Sequence, residues 1–335
     1  MRTMPEWELP GSRQEDFLSV NFPPHHVPAS QKARSTPLLT AVLPVRHLLL
    51  ALAVVFVWGT NFVVIKLALH ELPPLLFAAL RFTAAALPGI FLIRKPAVPW
   101  RQLAAYGVLI GVGQFGLLYI AMQHSISPGL ASLVMQSQVF LTMLLVALVD
   151  RERPRLFQWV AMGIAVAGLL LIALHTDGTT TAVGLALSGA AALSWACGNL
   201  VSRAAGRVDM LGYMVWSSVF AILPLSLLSV WLEGPQRIVQ ALLHADAMAW
   251  LAVMWQAYGN TIFGFGAWAW LLNRYAAASV TPMALLVPVF GMGAAALWLG
   301  EPLPAWKVEA GLLVMAGLIV NVTWPRLEMR WRAHP

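Results

Sequence analysis

The chain has 335 residues, of which 59% are hydrophobic and 10% charged, against roughly 45–50% and about 25% in soluble globular domains. This balance excludes an ordinary soluble domain and suits about ten membrane-spanning helices of roughly 20 residues each. The single cysteine, Cys197, excludes an intramolecular disulfide and a cysteine-based zinc cluster. A net charge of +7 fits basic residues gathered on one membrane face, with no nucleic-acid partner required.

Residues 1–46 form a polar stretch punctuated by Pro5, Pro10, Pro23, Pro24, Pro28 and Pro37, and read as a disordered cytoplasmic tail. They do not read as a secretory signal, because the first long apolar run begins only near Leu48 and outruns an h-region. From there, apolar runs fall near 48–69, 73–93, 102–121, 128–149, 156–174, 182–202, 211–232, 248–270, 279–299 and 304–324, which predicts ten transmembrane helices. Pro73, Pro128, Pro154 and Pro304 suit helix starts. Pro88, Pro224, Pro282 and Pro288 lie inside spans and are predicted to kink or interrupt them.

Seventeen of the 21 Lys and Arg fall in the two tails and in alternate loops, while Lys66, Arg237 and Lys307 belong to the opposite set. The bias predicts cytoplasmic N- and C-termini. Laying the second half on the first matches Ala161, Ala167, Gly168 and Leu169 with Ala310, Ala316, Gly317 and Leu318, and Glu152 with Glu301. Trp58 and Asn61 similarly resemble Trp195 and Asn199, one residue further apart. Each half then holds five helices, and an odd number forces the second copy to enter the membrane from the other side. The predicted fold is therefore an all-α membrane protein of two inverted five-helix repeats, a transporter architecture.

A polar group at membrane depth is costly unless it faces protein or water, which makes each one a candidate. Arg81 lies eight residues into the second span with no acid at comparable depth. It suits the carboxylate of an anionic or zwitterionic solute by a two-pronged contact; the alternatives are capping of carbonyls freed by a broken helix, or snorkelling to headgroups. Near the same depth stand Trp58, Asn61, Thr83, Gln114, Gln136, Gln138, Trp195, Asn199, Tyr258 and Asn260. Gln136 and Gln138 are about 200° apart on a helix, so at least one ties helices together. For any single member a tie is as good a reading as solute contact; together, donors and acceptors without a buried acid suit a small zwitterion better than a metal cation.

There is no GxxxxGK[ST] phosphate loop, no HExxH and no buried hydrolase set, so neither enzyme activity nor a nucleotide, metal or other cofactor is expected. The expected partners are a small-molecule solute and the lipid bilayer, and oligomeric state stays open. Proton coupling would call on an Asp, Glu or His; the nearest are His124, Glu152 and Glu301, all at loops.

The segments VWGTNFVVIKLALHELPPLLFAALRF (57–82), QFGLLYIAMQHSISPGLASLVMQSQVF (114–140), SWACGNL (194–200) and LLVPV (285–289) resemble the EamA branch of the drug/metabolite transporter superfamily, and within it the exporters of O-acetylserine and cysteine. The likeness runs over nearly everything from 47 to 325. It implies a bacterial inner-membrane (plasma-membrane) efflux protein with EamA repeats over 47–175 and 182–325, moving cysteine-pathway metabolites outward by alternating access. It also marks Trp58, Gly59, Asn61, Arg81, Glu152, Pro288 and Glu301 as characteristic, not as proven ligands. Glu152, Glu301, His124 and Pro288 are the expected gating or coupling positions. The long N-terminal tail and the Trp195/Asn199 spacing depart from the pattern.

Overall fold

The structure, a computed structural model, describes residues 43–151, 154–175, 180–206, 208–275 and 277–333. The tail up to residue 42 and Glu152 lie outside the described residues. Eleven helices follow: α1 Val45–Glu71, α2 Pro74–Leu92, α3 Trp100–His124, α4 Pro128–Val149, α5 Leu156–Leu174, α6 Ala182–Ala204, α7 Met210–Leu232, α8 Pro235–His244, α9 Ala247–Arg274, α10 Thr281–Leu299 and α11 Ala305–Ala333. Nine described helices are long and apolar enough to cross a bilayer, and there are ten when α8 and α9, which meet at 101°, are counted together as one span. The 27 residues of α1 rise about 40 Å at 1.5 Å each, enough to carry both ends into the headgroups.

The helix starts follow local chemistry. Pro74 and Pro128 occupy first helical turns, where a missing N–H costs nothing. The side chains of Thr181, Asp209 and Asp246 accept from backbone N–H groups of the turns they open, at 2.8–3.2 Å. At the end of α10, Gly300 adopts φ +65°, which a β-carbon would disfavour; the N–H groups of Gly300 and Glu301 both return to the Ala295 carbonyl. That turn points Glu301 back toward the bundle.

The duplicated residues meet each other across the molecule. Helix α5 runs along α11, and α2 along α7, each helix beside its own counterpart. A β-carbon at Gly168 would lie 2.8 Å from the Ala310 carbonyl oxygen, and one at Gly317 would lie 2.5 Å from that of Ala161. The two repeats thus make one self-complementary contact twice, as a two-fold relation demands.

Departures from α geometry are also paired. Helix α3 contains a π segment, Leu109–Gly116, and α9 contains another, Trp255–Phe263. Helix α4 tightens at Met135–Ser137, and α10 opens with a tight stretch, Thr281–Leu286. Prolines accompany only the last of these. As expected from sequence, Pro282 and Pro288 bracket an interruption, the tight stretch that opens α10 and the first regular turn beyond it, whereas α2 and α7 continue through Pro88 and Pro224 without interruption. Membrane helices can run on through proline because neighbouring groups serve the freed carbonyls.

Exposed Leu92, Trp231 and Leu297 (78–83%) mark faces turned outward to lipid. Helix α8 is amphipathic: Val239 and Leu243 point outward, while Arg237, Gln240, Ala241 and His244 line a cavity of about 410 Å³ above the α1–α2 turn.

Candidate functional site

Helix α2 places Arg81 two turns from its start, fully buried. Its Nη1 donates to the Tyr119 hydroxyl of α3 at 3.0 Å, and Nη2 to the Thr261 hydroxyl of α9 at 2.8 Å. The guanidinium lies 4.0 Å from the Phe115 ring centroid and 4.8 Å from that of Phe82, contacts that favour a cation stripped of water. Its Nε finds no hydrogen-bond partner among the described residues. Thr261 passes the chain on, donating to the Gln256 carbonyl inside the π segment of α9 at 3.0 Å. Arg81 therefore joins the third helices of the two repeats through hydroxyl groups rather than capping their carbonyls directly.

Trp58 and Asn61, three residues apart on α1, face the same π segment. The Trp58 indole donates to the Asn260 carbonyl at 3.3 Å and packs against Phe265 and Trp268. Gln256 Nε2 donates to Asn61 Oδ1 at 2.6 Å. Trp58, Asn61, Arg81, Gln256, Asn260 and Thr261 thus form one network at membrane depth. Gln138 stands apart from it: it accepts from Asn199 Nδ2 at 2.9 Å, and Thr142 accepts from the same nitrogen at 3.1 Å, tying α4 to α6. Gln114 and Gln136 are buried and Trp195 half-buried. Tyr258 is 42% exposed, outside the buried network.

At the end of the molecule carrying the α3–α4 and α10–α11 turns, Glu301 is bound by three donors. Ser127 donates to it at 2.5 Å, the Gly129 N–H at 3.0 Å and Lys307 at 3.1 Å. The side chains of Lys307 and Glu301 are only 2% and 7% exposed. This lock holds the start of α4 in the first repeat to the α10–α11 turn of the second. Lys66 donates to the carbonyls of Met122 and Gln123 at 3.0 and 2.9 Å, satisfying the end of α3. His124, with Lys66, His70, Ser127 and Glu301, lines a cavity of about 480 Å³ beside the lock. Pro288 is buried at the start of regular α10. Along α4, Pro128–Gln136 is buried throughout, whereas 137–147 is half-buried apart from Phe140. The Glu301 end is closed.

Sequence reasoning passed over Tyr119, Gln256 and Thr261, although each is a hydroxyl or amide within an apolar run. It also passed over Glu233, which accepts from Ser229 and from the first N–H groups of α2 at 2.6–3.0 Å.

Two five-helix halves of opposite sense, joined by a buried polar network, define a multi-pass membrane transporter. The chain belongs to the EamA-like transporter family, whose pattern matches residues 45–174 and 182–323. It is 44% identical over 279 residues to a probable amino-acid metabolite efflux pump of Salmonella typhimurium, covering 82% of this chain and 93% of that protein. It is 40% identical to the probable amino-acid metabolite efflux pump of Escherichia coli K12 (84% and 95% covered), and 24% identical to the uncharacterized inner membrane transporter YedA of the same strain (84% and 92%). One crystal structure shares the fold at TM-score 0.59 and 20% identity, covering 85% of this chain and 100% of its own.

Proposed function

We propose that this transporter exports small zwitterionic amino-acid metabolites across the bacterial inner membrane, with O-acetylserine and cysteine as its principal solutes. The observation that carries the reading is Arg81: a buried guanidinium with an unpartnered Nε and no carboxylate bonded to it among the described residues. A cation without a counter-charge at membrane depth is costly, and a solute carboxylate offsets that cost with a charge-assisted bond. The relatives named as amino-acid metabolite efflux pumps support the same solute class.

In this reading both termini are cytoplasmic, so the Glu301 lock closes the outer end and Glu301 acts as the outer gate. Glu152, its counterpart by sequence, serves the inner end. Trp58 and Asn61 line the route beside Arg81, with Gln114, Gln136 and Trp195 further along it, and His124 sits in the outer vestibule.

The experiment is uptake of labelled cysteine and O-acetylserine into everted vesicles containing the protein, with and without an imposed pH gradient. Uptake of both above empty vesicles is the expected result. No uptake of either by demonstrably inserted protein overturns the solute assignment, and collapse of uptake with the gradient identifies proton coupling.

A further inference from the structure

The two π segments occupy corresponding places in the third helix of each repeat, and the sixth residue of each is a buried amide, Gln114 in α3 and Asn260 in α9. Each segment receives a side-chain donor from the first helix of the other repeat. From α6, Ser194 donates to the Leu109 carbonyl at 2.8 Å. From α1, Trp58 donates to the Asn260 carbonyl at 3.3 Å. Ser194 directly precedes Trp195, the sequence counterpart of Trp58. Both donors reach the backbone through a glycine-sized gap: a β-carbon at Gly113 would lie 1.9 Å from Ser194 Oγ, and one at Gly264 would lie 2.4 Å from Trp58 Nε1.

A π segment is an α-helix holding one residue too many per turn, and such bulges collect at functional sites. Absorbing or shifting that residue turns everything beyond it by about 100° and moves it by about 1.5 Å. In α3 the side chains beyond the segment include Tyr119, and the α9 segment itself carries Thr261; these are the two partners of Arg81. A donor to a carbonyl within the segment therefore sets where the bulge sits and, through it, the geometry around Arg81.

We propose that Ser194 and Trp58 are paired positioning residues of the transport cycle, each holding the π segment of the opposite repeat so that the two third helices change shape together. The exchange is reciprocal between repeats, which is what switching between two symmetry-related closed ends requires. The inference rests on the chain being a transporter and not on which solute it carries.

The test uses the full chain with Cys197→Ser and a reporter Leu130→Cys, a position fully buried in the closed Glu301 end, labelled with a maleimide in proteoliposomes without solute. Trp58→Phe keeps a ring and loses the donor; Ser194→Ala removes one oxygen and tests the idea alone should Trp58→Phe insert poorly. Each is expected to change the labelling rate of the reporter thiol by fivefold or more. Each is also expected to slow solute counterflow by a similar factor, and in Ser194→Ala solute affinity stays within twofold. Gly113→Ala, which displaces the Ser194 hydroxyl, is expected to match Ser194→Ala. Parent-like labelling and flux in Ser194→Ala overturn the proposal. An affinity loss in Ser194→Ala that equals its loss of flux makes Ser194 a solute contact instead and equally overturns it. Failure of cysteine and O-acetylserine as solutes leaves the labelling result standing, so the two readings fail separately.

Discussion

Arg81 and Lys307 are both buried cations, and they are stabilised in different ways. Lys307 has a carboxylate, Glu301, at 3.1 Å, whereas Arg81 has two hydroxyls and two aromatic faces. Of the two, only Arg81 is left with a buried nitrogen that finds no partner among the described residues. Arg81→Ala is expected to lower export more than tenfold at normal membrane abundance, and Arg81→Lys to recover little of it, because a point charge cannot reach Tyr119 and Thr261 while offering a planar edge to a carboxylate. Full activity of Arg81→Lys in an export assay would reduce Arg81 to a packing charge. At the lock, removing either partner strands a buried charge, which costs about 3–5 kcal/mol. Lys307→Met and Glu301→Gln are each expected to lower the melting temperature in detergent, and the double variant to sit closer to the parent than either single one. A double variant as unstable as the sum of the two singles would show that the pair is not coupled.

At the scale of elements, the pairing of helices with their own counterparts has a direct consequence. Gly168 and Gly317 play the same role on opposite sides of the α5–α11 contact, so Gly168→Val and Gly317→Val should destabilise alike. Each drives a side chain into a backbone carbonyl already 2.5–2.8 Å from the ideal β-carbon position, at a cost of about 1–3 kcal/mol for overpacking. Thermal unfolding of the two variants checks this, and a large difference between them would mean that the two halves of the contact are not equivalent. The helices themselves were legible because span length and proline placement leave few choices. Their irregularities were not: π segments in α3 and α9 arise where Gly113 and Gly264 let a side chain from another helix reach the backbone, a property of the pair of helices that neither stretch of sequence displays alone.

For the whole molecule, the contacts named for the polar network and for the lock all run between residues 58 and 307, and α1 begins only at Val45. Deleting residues 2–44 is accordingly expected to leave export and membrane abundance unchanged, measured with the same labelled solutes; lost export at normal abundance would give the tail a function. The inverted duplication also makes sense of why the Glu301 end is closed by residues of both repeats: Ser127 and Gly129 belong to the first, Glu301 and Lys307 to the second. In the proposed transport cycle, a closure built across the repeat boundary is what rocking of one repeat against the other would open.

Sequence alone determined the medium, the number of crossings, the five-plus-five division and the transporter class, because hydropathy, charge bias and internal duplication are summed over many residues and survive local error. It also singled out Trp58, Asn61, Arg81 and Glu301. Which partners those residues take was decided only by tertiary structure. Gln138 meets Asn199 while Tyr258 turns outward, and Thr261, Tyr119 and Gln256 join Arg81 and Asn61, because each contact depends on how far one helix is rotated against another. A rotation of a single residue step, about 100°, moves a polar side chain from the interior to the lipid without changing the composition of the span.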